Sequence, residues 1–152
     1  MKEIFWIFLL SMLPISELRG AIPLGYFLYH LPLFKVFLIS ISGNIFITLI
    51  LLLILNKISQ FLEKEKNPLK NFWKALLGHY YQKHQKTIEI LGELALVIFV
   101  AFPLPFTGAW SAALIAFIFN IPFKKAFPLI SLGIILAGLI VSFLCLQSQK
   151  LI

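Results

Sequence analysis

PISELRGAIPLG, from Pro14 to Gly25, decides how this chain is read. It sets Glu17 and Arg19 between apolar stretches that otherwise run almost unbroken from Ile4 to Leu55. A charge at the centre of a membrane helix costs roughly 2.5 to 3.5 kcal/mol on insertion scales, so something must hold the two in place. Of the 152 residues, 61% are hydrophobic and 12% are charged, whereas a soluble domain carries about 25% charged residues. The chain therefore reads as an all-α integral membrane protein, and residues 1–152 as one membrane domain.

Thirteen Lys and Arg face six acids, and seven of the lysines lie between Lys57 and Lys86. Flanked by apolar segments, that cluster reads as a cytoplasmic loop under the positive-inside rule and not as a nucleic-acid surface. A single cysteine, Cys145, excludes an intrachain disulfide and a cysteine metal cluster. Met1 to Leu13 has the charge and short apolar core of a signal peptide. Pro14, Glu17 and Arg19 stand where a cleavage site would follow, so removal is not expected.

A bilayer crossing takes about 20 apolar residues. By that ruler Ile4–Leu13 and Ala21–Leu31 are too short, and Val36–Asn56 is long enough. The order recurs with a segment ending at Pro103 and Pro105, a short piece Thr107–Ile121, and a long one Ala126–Leu146. LPLFKVFLISISG (Leu31–Gly43) and IPFKKAFPLISLG (Ile121–Gly133) share Pro32/Pro122, Lys35/Lys125, Phe37/Phe127 and Gly43/Gly133 at a constant offset. This predicts repeat one over 1–57, a basic amphipathic linker over 58–86 and repeat two over 87–148. If each short pair dips in and returns, a repeat crosses once, so the second copy lies upside down relative to the first. Inverted repeats with broken helices meeting near the midplane are a common secondary-transporter architecture. The alternative is that Met1–Leu31 spans once with a proline kink. In the linker, Leu69, Phe72, Trp73, Leu76, Leu77, Tyr80 and Tyr81 recur at helical spacing behind Asn67 and Pro68, predicting an interfacial helix.

Pro14 and Pro23 bracket Gly20, so the stretch between them is expected to turn, with the second short helix starting near Gly20 or Ala21. On a turn Glu17 and Arg19 can approach and offset part of each other's desolvation. PLPFTGAW, Pro103 to Trp110, occupies the matching place in the second copy, where Thr107 and Gly108 form a neutral cap. Pro14, Pro23, Pro103 and Pro105 are thus the hairpin-shaping residues. Two inward helix N-termini with Arg19 would suit a phosphate or carboxylate, which makes Arg19, Gly20, Thr107, Gly108 and Trp110 substrate-binding candidates. Glu17 is the natural proton carrier, because burial and a ligand's charge both move a carboxyl's proton affinity. Glu93 is a second acid near the other hairpin; Glu89, one turn away, reads as interfacial. Asn44, beside Gly43 in mid-span, reads first as packing glue and second as a cavity ligand. His79 and His84 lack metal-ligating partners. No cofactor or metal is expected, and no nucleophile–base arrangement points to an enzyme.

PISELRGAIPLG, followed downstream by FVAFPLPFTGAW, resembles the putative small multi-drug export protein family of bacteria and archaea, a distant branch of the DedA or VTT-domain superfamily. The similarity covers nearly the whole chain. The sequence departs at Phe106, where the family commonly has Gly, and at Ser111 and Ala112, where it has a Thr-Gly pair. The resemblance implies a multi-pass protein of a bacterial or archaeal cell membrane with an inverted pair of re-entrant hairpins. Glu17 and Arg19 match the first motif; Pro105, Thr107, Gly108 and Trp110 match the second. The wider superfamily is linked to proton-dependent membrane homeostasis, undecaprenyl phosphate recycling and lipid scrambling.

The expected function is therefore a proton-coupled transporter or flippase for an anionic lipid, such as undecaprenyl phosphate, or a small amphiphile. One alternative is an exporter of lipophilic cationic drugs, with Glu17, Glu93 and Trp110 holding the cation. Another is a non-transporting assembly or homeostasis protein in which Glu17 and Arg19 only pin the fold. Expected partners are membrane lipids, the substrate and protons. A homodimer would cover the remaining apolar surface, and lipid would cover it equally.

Overall fold

The computed structural model describes residues 2–64, 94–102, 108–119 and 121–150. Helices dominate throughout: α1 (Lys2–Met12), α2 (Glu17–Pro23), α3 (Leu33–Lys64), α4 (94–101), α5 (Ala109–Ile118) and α6 (Phe123–Gln149), with a π-helical turn at Leu24–Leu28 extending α2. No strand occurs among the described residues. Among the described residues, two helices are long and apolar enough to cross a membrane, over Leu33–Ile58 and Phe123–Gln149. Most of their apolar surface faces outward, as at Phe34, Leu38, Leu139 and Phe143. The basic linker beyond Lys64, with His79, His84, Glu89 and Glu93, lies outside the described residues, as do Pro103, Pro105 and Thr107.

The second short helix starts at Glu17, earlier than the glycine-and-proline pattern led us to expect. Pro23 sits inside the helical run and does not head it. A proline there supplies no N–H and crowds the carbonyl one turn back, and the wider π-turn that follows absorbs the misfit. The run ends at His30, whose φ of 50° marks a left-handed helix stop, and the Leu31 N–H bonds back to the Gly25 carbonyl at 3.2 Å. Pro32 then opens α3, its carbonyl accepting from Lys35 and Val36; Pro122 opens α6 in the same way, accepting from Lys125 and Ala126.

The chain packs around small residues. Gly43 of α3 lies against Ser11 and the Phe8 carbonyl of α1; Gly133 of α6 lies against Val100 and the Val97 carbonyl of α4. Gly138 brings α6 onto Phe37 and Ile41 of α3. On α5 the buried face is Ala109, Ala112, Ala113 and Ala116. In lipid the hydrophobic effect no longer drives helices together, and close approach through such residues supplies the van der Waals contact instead. The burial pattern over 31–40 is repeated residue for residue over 121–130, and that of 17–22 over 108–113.

These contacts set depths along α3. Gly25 abuts Val36 across the turn, and as many residues separate Glu17 from Gly25 as separate Val36 from Asn44. At 1.5 Å per residue both spans are about 12 Å, so Glu17 sits at the depth of Asn44, close to halfway along Leu33–Ile58. From that level α2 runs toward the start of α3. The end of α5, at Ala116 and Phe117, shares a cleft with Leu52, Leu55 and Asn56 near the other end of α3.

Candidate functional site

The turn between α1 and α2 sorts its side chains by polarity. Leu13 and Ile15 are exposed, whereas Glu17 is 6% and Leu18 1% accessible. Much of the turn's backbone is satisfied internally. Leu13, Glu17 and Gly20 N–H groups bond to the carbonyls of Leu10, Leu13 and Ser16, the Ser16 hydroxyl donates to Leu10, and Pro14 has no N–H to place. A turn closed in this way suits surroundings that offer little water.

Glu17 adopts φ 43°, a left-handed backbone that costs a residue with a side chain about 1–2 kcal/mol. The strain aims its carboxylate at the start of α5. There the carboxylate accepts the backbone N–H groups of Ala109 and Trp110 and interacts electrostatically with Arg19. It lies so close to Gly108 that a Cβ on that residue would collide with both carboxylate oxygens. Glu17 of α2 thus caps the N-terminus of α5, where Gly108 makes no side-chain cap of its own. A helix N-terminus carries orphan donors and the positive end of the dipole, and here a fixed anion fills it.

Glu17 therefore occupies the N-terminus of α5 in this structure, beside Gly108. Arg19 is half-buried, and its Nη2 lies 3.4 Å from the Phe102 carbonyl at the end of α4. Glu17, Arg19, Gly108 and Trp110 are therefore brought together from α2, α4 and α5. Trp110 reaches across to α1, its indole Nε1–H donating to the Met12 carbonyl at 3.0 Å, which makes it a clamp between α5 and α1. Gly20 stands one turn along α2, where a Cβ would press on that of Ser16 at 2.9 Å. No group of His, Cys, Asp and Glu that could hold a metal is found among the described residues.

Asn44 is 1% accessible, and among the described residues neither of its side-chain polar atoms has a hydrogen-bond partner; the same is true of the Ser40 hydroxyl one turn earlier. Leaving such a group unpaired costs about 1–3 kcal/mol. Thr48, one turn later and also buried, donates to the Asn44 carbonyl at 2.7 Å. The Ser40–Asn44–Thr48 row escaped the residue-by-residue reading of the sequence. Its signal is the i, i+4 spacing set against Ile130, Ile134 and Gly138 at the matching positions of α6.

A helical scaffold with two apolar spans among the described residues, and a buried carboxylate of α2 set against the start of α5, define the class: a multi-helix membrane protein with a polar centre. Residues 17–140 match the family model described as putative small multi-drug export protein, and the chain belongs to that family. No curated protein and no solved structure matches the chain.

Proposed function

We propose that this protein is a proton-coupled secondary transporter or flippase for amphiphiles with an anionic head, built from two re-entrant hairpins of opposite orientation. The family's description as an export protein supports transport at a coarse level. The observation that carries the finer reading is the seat of Glu17: a buried carboxylate, held by strained backbone, capping α5 beside Arg19. The matched burial of the two halves, and hairpin tips meeting halfway along α3, support the inverted arrangement.

The geometry suggests how cargo and proton would be linked. A ligand anion approaching Arg19 competes with Glu17 for the Ala109 and Trp110 N–H groups, which are already aligned for negative charge. Protonation of Glu17 removes its charge and weakens its hold there. Anion and proton then enter together, and the proton leaves when Glu17 returns to its cap.

Liposomes containing the purified protein test this. Wild type is expected to move a fluorescent phosphate-headed lipid at a rate that changes with pH. Glu17→Gln keeps an acceptor for the α5 donors but cannot carry the proton, so transport should persist only without pH dependence or stop. Arg19→Ala should weaken cargo binding. Unaltered, pH-dependent transport by both variants would refute the site. The family description also favours a second reading, export of lipophilic cations held by Glu17; in that case Arg19→Ala would strengthen cargo binding.

A further inference from the structure

We infer that Ser40 and Asn44 of α3 form a separate hydrogen-bonding subsite, for a neutral donor–acceptor group such as a hydroxyl or primary amide carried on the charged head of the cargo. The inference rests on the transport reading above, but not on the sign of the cargo's charge.

Three observations carry it. Both residues are sealed, at 0% and 1% accessible, yet among the described residues the Ser40 Oγ and both Asn44 side-chain polar atoms have no partner. Buried polar groups are otherwise paired in the great majority of cases. Second, packing does not require polarity there. The corresponding residues of α6 are Ile130 and Ile134, equally buried in a matching pattern, so an aliphatic side chain would serve this fold at Ser40 and Asn44 too. Third, Asn44 lies at the depth of Glu17, with Ser40 one turn, about 6 Å, nearer the start of α3, so parting Glu17 from Gly108 to admit cargo opens the protein at the level of Asn44.

The chemistry of the occupant follows from the unpaired atoms. Asn44 presents an acceptor, Oδ1, and a two-hydrogen donor, Nδ2; Ser40 presents a hydroxyl that does either. A bare cation would leave Nδ2 unsatisfied and a bare anion would leave Oδ1 unsatisfied. A hydroxyl or an amide satisfies both. The division of labour is then charge at Arg19 and Glu17, and hydroxyl or amide identity at Ser40 and Asn44. A site that hydrogen-bonds a substrate hydroxyl discriminates strongly against the analogue lacking it.

Matched probes test this on the full chain in lipid nanodiscs by calorimetry: 2-hydroxyethyl phosphate against ethyl phosphate, and choline against ethyltrimethylammonium. Within whichever charge pair binds, wild type should favour the hydroxylated member about tenfold or more. Asn44→Leu should cut that preference to within about twofold. Ser40→Ala, which removes a single oxygen, should reduce it in part and repeats the test with the smallest change in packing. If only the cationic pair binds and its hydroxyl preference disappears in Asn44→Leu, the anion reading falls and the subsite stands. Absence of any preference in wild type, as expected if only water fills the site, overturns the subsite. So does a preference that survives both substitutions.

Discussion

The proposed mechanism gives Glu17 two tasks that pull against each other. As a cap it must be charged and close to the α5 donors, and as a carrier it would have to release them. Gly108 makes the closeness achievable. Gly108→Ala should destabilise the protein by about 1–3 kcal/mol, the usual cost of overpacking, read as a lower melting temperature in detergent. Combined with Glu17→Ala, which removes the atoms the new methyl would strike, the loss should be smaller than the sum of the single losses by about 0.5–3 kcal/mol. Additive losses would mean that the two residues do not share one contact. Trp110→Phe keeps one aromatic ring but removes the donor to Met12 together with the five-membered ring that carries it, so it should cost about 1 kcal/mol for the hydrogen bond plus a packing loss, without altering the pH profile of transport.

At the scale of elements, the paired glycines hold each long helix against the first helix of its own half. Gly43→Ala would drive a methyl into Ser11 and the Phe8 carbonyl, and Gly133→Ala into Val100 and the Val97 carbonyl. Each should lower stability by about 1–3 kcal/mol in a thermal melt, and by similar amounts, since the contacts correspond. A loss at one site alone would deny that the halves are equivalent. The segment lengths, the prolines that end the short pieces and the lysine–glycine correspondence were all legible in the sequence, because helix length and proline chemistry act locally. The start of α2 was not. Whether Glu17 heads the helix or sits in the turn depends on its left-handed φ, which local propensity disfavours and only contacts across to Ala109 and Trp110 sustain.

For the whole molecule, orientation is the decisive test. Lys35 and Lys125 are both exposed near the starts of α3 and α6, and Cys145, the one cysteine, is buried. In a Cys145→Ser background, cysteines placed singly at Lys35 and Lys125 should react with an impermeant maleimide from opposite sides of the membrane. Reaction of both from one side would refute the inverted arrangement. The sequence by itself determined that the chain is apolar and helical, that two of its segments are long enough to cross a bilayer, and that Glu17 and Arg19 need a partner. Those follow from composition, periodicity and the cost of charge in hydrocarbon. Only the tertiary structure decided that Glu17 caps α5, that Trp110 ties that helix to α1, and that Asn44 is sealed with no partner among the described residues. Each depends on atoms far apart in the chain meeting at one depth, and depth is set by helix packing rather than by any local run of residues.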